Sequence, residues 1–431
     1  MSVTKKYLWM SSVALVGAAL MTAQAQAGAF GTRQQSGYYL GQAYAGVGAP
    51  GPSISGMYWN PAVVTTAKVR TSESHHSLVW SSVDIQQTNL GGTGSASSDT
   101  FGWIPTSYTA IPLNNGFFVG LHTAAPYGSL TKYQNPWGTG GTGSFYAATS
   151  QVRSINLNAI VGYQFSDQLS VAAGLQAQYF SVRFTRGIPG GLELKGNDWG
   201  FGFTAGVTYK PVAGTEIGIG YRSAIEHDIG GKFSAPALLV PRGTKVTADI
   251  TLPQMATIGI RQKINDQWTV SASAEWVGWS SLGPTPIVAK ANGATLTTLN
   301  NFNYDDGWYF AIGAEYKYSE SLTFRAGVGY EISPIPDHIR TMGVPDADRL
   351  WLSAGATYNY SSRLSFDLAY THINTISATY DLSSVAANPN ANPLAPFTGK
   401  SDTNINIIGL AVRYKWDEPP KAEPLPVNAK F

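Results

Sequence analysis

The side chains that could do chemistry are few, and their spacing argues against catalysis. The chain has 431 residues, six histidines and no cysteine. His75 and His76 are adjacent, and because neighbouring side chains on a strand point to opposite faces, these two cannot act as a pair. No serine stands in a G-x-S-x-G nucleophile elbow, although lipases built on barrels need not have one. We therefore expect that the protein is not an enzyme, with a lipase or phospholipase as the distant alternative.

The composition also argues against metal and nucleic-acid sites. Without cysteine, and with histidines that lack ligand spacing, the sequence predicts neither a metal nor another cofactor. Lysine and arginine total 28 against 26 acidic residues, a balance too even for a nucleic-acid partner. Charged residues make up only 13% of the chain, whereas glycine (47 residues) and aromatic side chains (12%) are abundant. This combination is typical of a β-barrel with one apolar and one polar face.

The N-terminus predicts export. Lys5 and Lys6 precede an apolar run at residues 13–21, and Ala25-Gln26-Ala27 is an A-x-A cleavage site. The apolar run is too short to cross a membrane as a helix. We therefore assign residues 1–27 to a signal peptide.

Alternation with a period of two residues dominates the rest of the chain. In Leu169–Tyr179 the odd-numbered positions are mostly apolar and the even-numbered ones small or polar, and the segment starting at Trp268 and the segment ending at Trp416 alternate in the same way. Tryptophan and tyrosine lie at the ends of the apolar faces, as expected where a barrel meets the two membrane interfaces.

The connections between these strands fall into two classes. Short turns are predicted at Asn114-Asn115, Ser166-Asp167, Val212–Gly214, Asn265-Asp266, Ser319-Glu320 and Ser361-Ser362. Longer loops rich in Gly, Pro and Asn are predicted at 87–100, 128–146, 187–197, 229–249, 282–303, 334–348 and 380–401. Six turns and seven loops join fourteen strands.

The sequence therefore predicts an all-β fold, a 14-stranded antiparallel transmembrane β-barrel formed by residues 69–416. An even strand count closes the sheet, so that no open edge faces lipid. Short turns would face the periplasm together with both termini, in the outer membrane of a bacterium. Residues 417–431 are Pro-rich and are predicted to form a periplasmic tail.

Residues 28–68 do not fit the strand pattern. They are too rich in Gly, Ser and Pro for a good helix or strand, and too aromatic for a plain linker. An irregular, well-packed segment ahead of an array of strands is expected to lie inside the cylinder that the strands form. We interpret it as a hatch, or plug.

Several motifs carry a family resemblance. The run from Gly41 to Gly46 (GQAYAG), followed by Asn60-Pro61-Ala62, resembles the hatch signature of the FadL family of outer-membrane long-chain fatty-acid transporters, which also includes aromatic-hydrocarbon channels. The resemblance continues in Gly196–Gly202 (GNDWGFG), Leu252–Met255 (LPQM), Ser333–Pro336 (SPIP) and Val344–Gly355 (VPDADRLWLSAG). It covers essentially the whole mature chain.

This resemblance implies a mechanism of passive transport. A hydrophobic ligand would be caught by the external loops, enter an apolar pocket above the hatch, and leave sideways through a kink in the third strand. Lateral exit into the bilayer avoids releasing the ligand into water, which would cost about 0.8 kcal/mol per CH₂ group. Partners would be the ligand, outer-membrane lipids and the barrel-assembly machinery, with the protein acting as a monomer.

The resemblance also implies ligand-binding residues. Phe30 would reach into the pocket, and Arg186 matches the arginine that meets the ligand carboxylate in fatty-acid members. A second basic residue of the family is missing, because Asn300 occupies that position. The loop at 187–197 is short, so that Trp137 is a candidate for first capture of the ligand. The ligand is thus a long-chain fatty acid or, as the alternative, a neutral aromatic or aliphatic hydrocarbon.

The lateral gap is expected at Ala125-Pro126-Tyr127-Gly128. Proline removes a hydrogen-bond donor from the ladder and glycine admits a bulge, so the wall can open there. A general diffusion porin is the remaining rival, but it would have an open lumen rather than a plug of about 40 residues. Asp346, Asp348 and Arg349 are interpreted as a structural salt-bridge network.

Overall fold

The computed structural model describes residues 28–89 and 94–417. The predicted signal peptide, the tail beyond residue 417 and the tip of the first long loop, residues 90–93, lie outside the described residues. Within the described part of the chain, no helix is long and apolar enough to cross a membrane.

The wall is built from twenty strand segments. They are β1 (Thr71–Gln87), β2 (Ser95–Pro112), β3 (Phe117–Ala124), β4 (Gly128–Lys132), β5 (Thr149–Gln164), β6 (Leu169–Arg186), β7 (Leu192–Tyr209), β8 (Thr215–Arg222), β9 (Ile225–Ala235), β10 (Val240–Leu252), β11 (Met255–Lys263), β12 (Trp268–Val277), β13 (Pro284–Ala289), β14 (Thr295–Asn301), β15 (Gly307–Lys317), β16 (Leu322–Ile332), β17 (Arg349–Asn359), β18 (Leu364–Thr375), β19 (Ala378–Leu382) and β20 (Phe397–Lys415).

These segments form one closed antiparallel barrel. Six pairs of consecutive segments, namely β3/β4, β8/β9, β10/β11, β12/β13, β14/β15 and β18/β19, each make up one interrupted strand, which leaves fourteen strands around the wall. The first strand pairs with the last, from Thr71 opposite Lys415 to Gln87 opposite Gly399. The predicted fourteen-stranded barrel is confirmed, with both ends of the wall at the side of the short turns.

The apolar faces of the strands point outwards and the polar faces inwards, as the sequence predicts. On β6, the side chain of Leu175 is 74% exposed on the outer surface, whereas Gln176 and Gln178 are buried towards the lumen. Near the short turns, Phe165, Tyr318 and Tyr360 are exposed and form part of an aromatic belt. The outer face therefore suits a lipid environment, and the polar face lines the interior.

Two of the long loops differ from the sequence-based expectation. The predicted loop 229–249 is mostly strand, since β9 and β10 pair there up to Val240 opposite Ala235. The predicted loop 282–303 contains the hairpin of β13 and β14. In these segments the alternation is reversed, because apolar side chains such as Val246, Ile250 and Ile287 are buried towards the lumen while polar ones such as Asp249 face outwards. An apolar outer face, the pattern that marks strands elsewhere, is therefore missing from them.

Residues 28–68, the hatch segment, lie inside the barrel and are almost entirely buried. They form helix α1 (Gly37–Leu40) and two 3₁₀-helices, Ile54–Tyr58 and Pro61–Thr66. A polar side chain caps each of the three at its N-terminus: Ser36, Ser53 and Asn60 accept hydrogen bonds from backbone N–H groups of the first turn. These caps provide acceptors for buried backbone N–H groups that have no partner within the short helices.

Glycines of the wall allow the hatch backbone to touch it. A Cβ atom added at Gly220 would lie 1.9 Å from the carbonyl oxygen of Trp59, and one added at Gly259 would lie 2.0 Å from that of Val47. No other residue fits such an approach. Buried arginines fasten the same segment, because Arg261 donates to the carbonyl oxygen of Pro50 at 3.2 Å.

We predict that Gly259→Ala displaces the hatch segment. The new methyl group overlaps the Val47 carbonyl, so the backbone of either the wall or the hatch must move. This lowers the free energy of unfolding by about 1–3 kcal/mol. The expected result is a lower unfolding temperature in detergent and faster entry of a hydrophilic dye into proteoliposomes.

Gly283→Ala is the matched control, since a Cβ at Gly283 meets no atom within 4 Å. Equal unfolding temperatures and equal dye entry for the two variants would contradict a tight contact between wall and hatch.

Candidate functional site

An apolar cavity, here called the outer cavity, lies between the hatch segment and the long loops. The empty space within it, including the part that is open to solvent, is about 850 Å³. Its apolar lining comes from β5, β6, β7, β9, β10 and β13 together with neighbouring loops, and includes Val152, Phe180, Val182, Phe184, Leu194, Ile229, Val246, Ile250, Ile287, Phe302 and Val344. A cavity with this lining favours a hydrophobic ligand that makes few polar contacts.

Arg186 and Asn300 meet at the edge of this cavity. Phe180, Val182 and Phe184 line the cavity from the inward face of β6, and Arg186 is the next inward position along that strand. Its Nη2 donates to Oδ1 of Asn300 at 2.9 Å, and Asn300 itself lines the cavity. The two residues, 114 positions apart in sequence, thus form one polar group beside an apolar chamber.

Phe30 forms the floor of the outer cavity. It is 3% exposed and packs edge-on against Trp279, with ring centroids 4.8 Å apart. Its ring also lies 6.0 Å from that of Tyr127. Trp279 and Tyr127 also line a second chamber, here called the inner cavity. Gly28 and Gly31, which lie on either side of Phe30 in the hatch segment, line it as well. Phe30 therefore stands between the two cavities.

The inner cavity is more polar and lies against the hatch segment. The empty space within it, including the part that is open to solvent, is about 730 Å³. Its polar lining includes Arg33, Gln176, Gln178, Arg222, Glu275 and Glu331, and its apolar lining includes Tyr58, Tyr127, Met255, Val277 and Trp279. Such a chamber can hold an apolar chain and a charged group together.

Buried ion pairs hold the first residues of the hatch. Arg33 pairs with Glu275 at 2.8 Å and with Glu331 at 3.4 Å. Arg349 pairs with Glu331 and with Asp346, whose Oδ2 accepts from the backbone N–H of Ala29 at 2.7 Å. Burial works against the charge of Arg33, but the carboxylates of Glu275 and Glu331 outweigh it and raise the pKa of Arg33 above its usual value. Arg33 therefore stays charged, and its ion pairs with Glu275 and Glu331 hold the segment.

The third strand is interrupted at residues 125–127. Ala124 pairs with Asn156 and Gly128 pairs with Arg153, so three residues of this strand stand opposite two of β5. The interruption is a β-bulge, and it contains Pro126, which has no backbone N–H to donate. On its other side, the third strand pairs with β2 through β3 alone, and among the described strands no ladder joins β4 to β2.

The hatch segment covers this break from inside. The N–H of Thr32 donates to the carbonyl oxygen of Pro126 at 2.8 Å, and the N–H of Gly128 donates to that of Phe30 at 2.9 Å. The amide side chain of Gln35 bonds both the N–H and the carbonyl of Ala125. Thus the hatch segment satisfies both backbone groups of Ala125 and the carbonyl of Pro126, whereas the hydroxyl group of Ser154 on β5 satisfies those of Tyr127.

The residues of the predicted hatch signature lie in contact with the wall. Asn60 caps the helix that begins with Pro61 and Ala62, and its Nδ2 donates to the carbonyl oxygens of Gly48 and Val207 at 2.6 and 2.9 Å. Gly46 has φ of +76° in a turn, where most side chains would be strained. Gly41 lies against the wall at Gly355 and Arg325.

Trp137 does not lie where first capture of a ligand would need it. It is 3% exposed, packs against Tyr133 and Phe397, and donates from Nε1 to the carbonyl oxygen of Ala147 at 2.7 Å. The loop carrying it folds inwards because its aromatic residues bury one another, so Trp137 packs the loops over the barrel and lines neither cavity.

Sequence reasoning missed Arg222 and Trp279. Arg222 could have been found from strand parity, since Gly218, Gly220 and Arg222 share one face opposite Ile217, Ile219 and Tyr221. Trp279 lies in a single 3₁₀ turn after β12, and no pattern in the sequence indicates that this turn folds into the lumen.

We predict that Arg33→Met loosens the start of the hatch. Removing one partner of a buried ion pair leaves Glu275 without its cation, which costs about 3–5 kcal/mol. Faster hydrogen–deuterium exchange of residues 28–35 is the expected result. Arg183→Met is the control, because its pair with Glu193 is exposed to solvent and contributes about 1 kcal/mol or less. Unchanged exchange in Arg33→Met would mean that the cluster does not hold this segment.

Comparison with known proteins agrees with this architecture. Residues 18–416 match the family described as outer membrane protein transport protein (OMPP1/FadL/TodX). The chain is 26% identical over 417 residues to the long-chain fatty acid transport protein of Escherichia coli O6:H1, covering 86% of this chain and 92% of that protein. It is 27% identical over 456 residues to outer membrane protein P1 of Haemophilus influenzae Rd, covering 91% and 96%.

Solved structures show the same fold. A FadL homologue from Pseudomonas aeruginosa superposes with a TM-score of 0.80 at 21% identity, covering 90% of this chain and 100% of the other. The toluene transporter TbuX of Ralstonia pickettii superposes with a TM-score of 0.60 at 18% identity, covering 89% and 100%. The match to the family model spans nearly all of the described residues, and the chain belongs to the OMPP1/FadL/TodX family of outer-membrane transport proteins.

Proposed function

We propose that this protein is a channel for passive uptake of long-chain fatty acids across the outer membrane. The observation that carries the proposal is the outer cavity, an apolar chamber with the Arg186–Asn300 pair at its edge. An acyl chain gains about 0.8 kcal/mol for each CH₂ group that it buries there. A carboxylate can accept two parallel hydrogen bonds from a guanidinium group, which fixes the head group at one end.

The runner-up ligand is a neutral hydrocarbon. Asn300 contributes no charge, and the remaining lining of the outer cavity is apolar apart from a few serine and threonine side chains. The fold is also shared with a toluene transporter, although at 18% identity. The inward-facing side chain of Arg186 favours a fatty acid over a neutral hydrocarbon. A carboxylate can pair with this cation beside the apolar chamber, whereas a neutral ligand gains nothing from it.

We further propose that the ligand leaves through the break in strand three. A ligand that passes from the outer to the inner cavity must displace Phe30, and the backbone of Phe30 is bonded to Gly128 at the break. Movement of this segment would release the hydrogen bonds that cover residues 125–127. The acyl chain could then enter the bilayer between β2 and β4 without meeting water, so that its concentration gradient is sufficient to drive uptake.

We predict that Arg186→Ala weakens oleate binding. Loss of a hydrogen-bonded charge pair costs about 1.5–3 kcal/mol, or roughly 10- to 150-fold in Kd. Binding of a neutral hydrocarbon such as hexadecane should be unchanged, and both can be measured by competition with a fluorescent fatty acid on purified protein.

Arg183→Ala is the control for this measurement, since Arg183 lies on the same strand but faces outwards and pairs with Glu193. If oleate and hexadecane bind equally well and Arg186→Ala changes neither, the channel selects on hydrophobicity alone and the hydrocarbon becomes its ligand class.

We predict that deleting Pro126 closes the wall. The deletion leaves two residues opposite the two of β5, and it keeps Ala124 and Ser129 on the inward face. Oleate should still bind to the purified protein, whereas its uptake into cells that depend on this channel should be lost.

Deletion of Gly293 provides the control, because this glycine lies at the tip of the hairpin between β13 and β14 with no atom near its Cβ position. Normal uptake after deletion of Pro126 would exclude the break as the exit.

A further inference from the structure

The inner cavity contains a buried cation with neutral partners. Arg222 ends β8 and is 5% exposed. Its Nη1 donates to the carbonyl oxygen of Tyr58 at 3.0 Å, and its Nη2 donates to Oε1 of Gln176 at 2.6 Å and to Oδ1 of Asn156 at 3.3 Å. All three acceptors are uncharged amide oxygens, so they solvate the guanidinium group without neutralising it.

The acidic residues of the same cavity are already paired. Glu275 is bound by Arg33, and Glu331 by Arg33 and Arg349. Among the residues that the structure describes, no ion pair includes Arg222. A guanidinium group has five N–H donors, and the three hydrogen bonds of Arg222 leave two for another acceptor. A buried charge without a counter-ion is costly, which favours a site that an anion completes.

Arg222 lies close to the break in strand three. Asn156, which accepts from Arg222, pairs across the ladder with Ala124, the last residue before the break in strand three. Ser154, two residues earlier on β5, bonds the backbone N–H of Tyr127 within the break. The guanidinium group of Arg222 therefore reaches along the inner wall as far as β5, and it lines the same cavity as Pro126 and Tyr127 of the break.

We propose that Arg222, with Gln176 and Asn156, forms a second carboxylate-binding site in the inner cavity. The ligand class is a long-chain monocarboxylate, so this inference rests on the proposed fatty-acid function. The head group would pass from Arg186 in the outer cavity to Arg222 in the inner one. It would stay there, in a polar chamber, while the apolar chain enters the bilayer through the break.

The competing explanation is that Arg222 only fastens the hatch through the carbonyl of Tyr58. The two explanations differ in their dependence on the ligand head group. If Arg222 only holds the hatch in place, its loss changes the Kd of an acid and of the corresponding alcohol equally. If Arg222 binds the carboxylate, its loss changes the Kd of the acid alone. Oleate and oleyl alcohol have the same chain, so their ratio of dissociation constants isolates the contribution of the head group.

The test uses the full-length protein in detergent and measures the Kd of oleate and of oleyl alcohol for four proteins. These are the wild type, Arg186→Ala, Arg186→Ala/Arg222→Gln and Arg186→Ala/Arg261→Gln. The last is the matched control, since Arg261 also fastens the hatch, at Pro50, but lines neither cavity. We expect Arg186→Ala to keep a preference of about tenfold for the acid, Arg222→Gln to abolish that preference, and Arg261→Gln to leave it intact.

Three results would overturn the inference. If Arg186→Ala alone removes the preference for oleate, the fatty-acid function stands and the second site does not exist. If Arg222→Gln weakens acid and alcohol equally, Arg222 is a fastener of the hatch. If the wild type shows no preference for oleate, the fatty-acid function itself fails and the inference with it.

Discussion

The filling of the lumen is the constraint on which the rest of the structure depends. A closed barrel of fourteen strands encloses a space too wide for its own side chains to fill, and the hatch segment fills it at the level of the membrane. The buried backbone groups of such a filling need hydrogen-bond partners. Close contacts at Gly220 and Gly259, helix caps such as Asn60, and buried arginines that bond hatch carbonyls together meet this requirement.

The same constraint explains why the breaks in the wall are located near the cavities. Pro126 lies between β3 and β4, Ser223 between β8 and β9, and Pro253 between β10 and β11, and all three line the inner cavity. Each interruption frees backbone groups that need new partners. At Ala125 and Pro126 the partners come from Thr32 and Gln35, which links the wall to the most N-terminal part of the hatch.

Much of the wall could be predicted from sequence because its determinants are local. Alternation along a segment such as Leu169–Tyr179 and turn residues such as Asn115 suffice for strand number and closure. The cavities could not be derived in this way. Arg186 meets Asn300 from 114 residues away and Arg222 meets Asn156 from 66 residues away, contacts that depend on barrel closure. Trp137 was misplaced because loop packing over the barrel has no period in the sequence.

The length of the strands has a consequence for where a ligand enters. The second strand contains 18 residues in β2 and the last 19 in β20. At about 3.3 Å per residue and a tilt of roughly 40°, strands of this length give a wall about 45 Å high, whereas the apolar band of an outer membrane is about 25 Å. The upper part of the barrel therefore projects well above the lipid. The mouth of the barrel therefore opens in the aqueous phase beyond the lipid and not at the surface of the membrane.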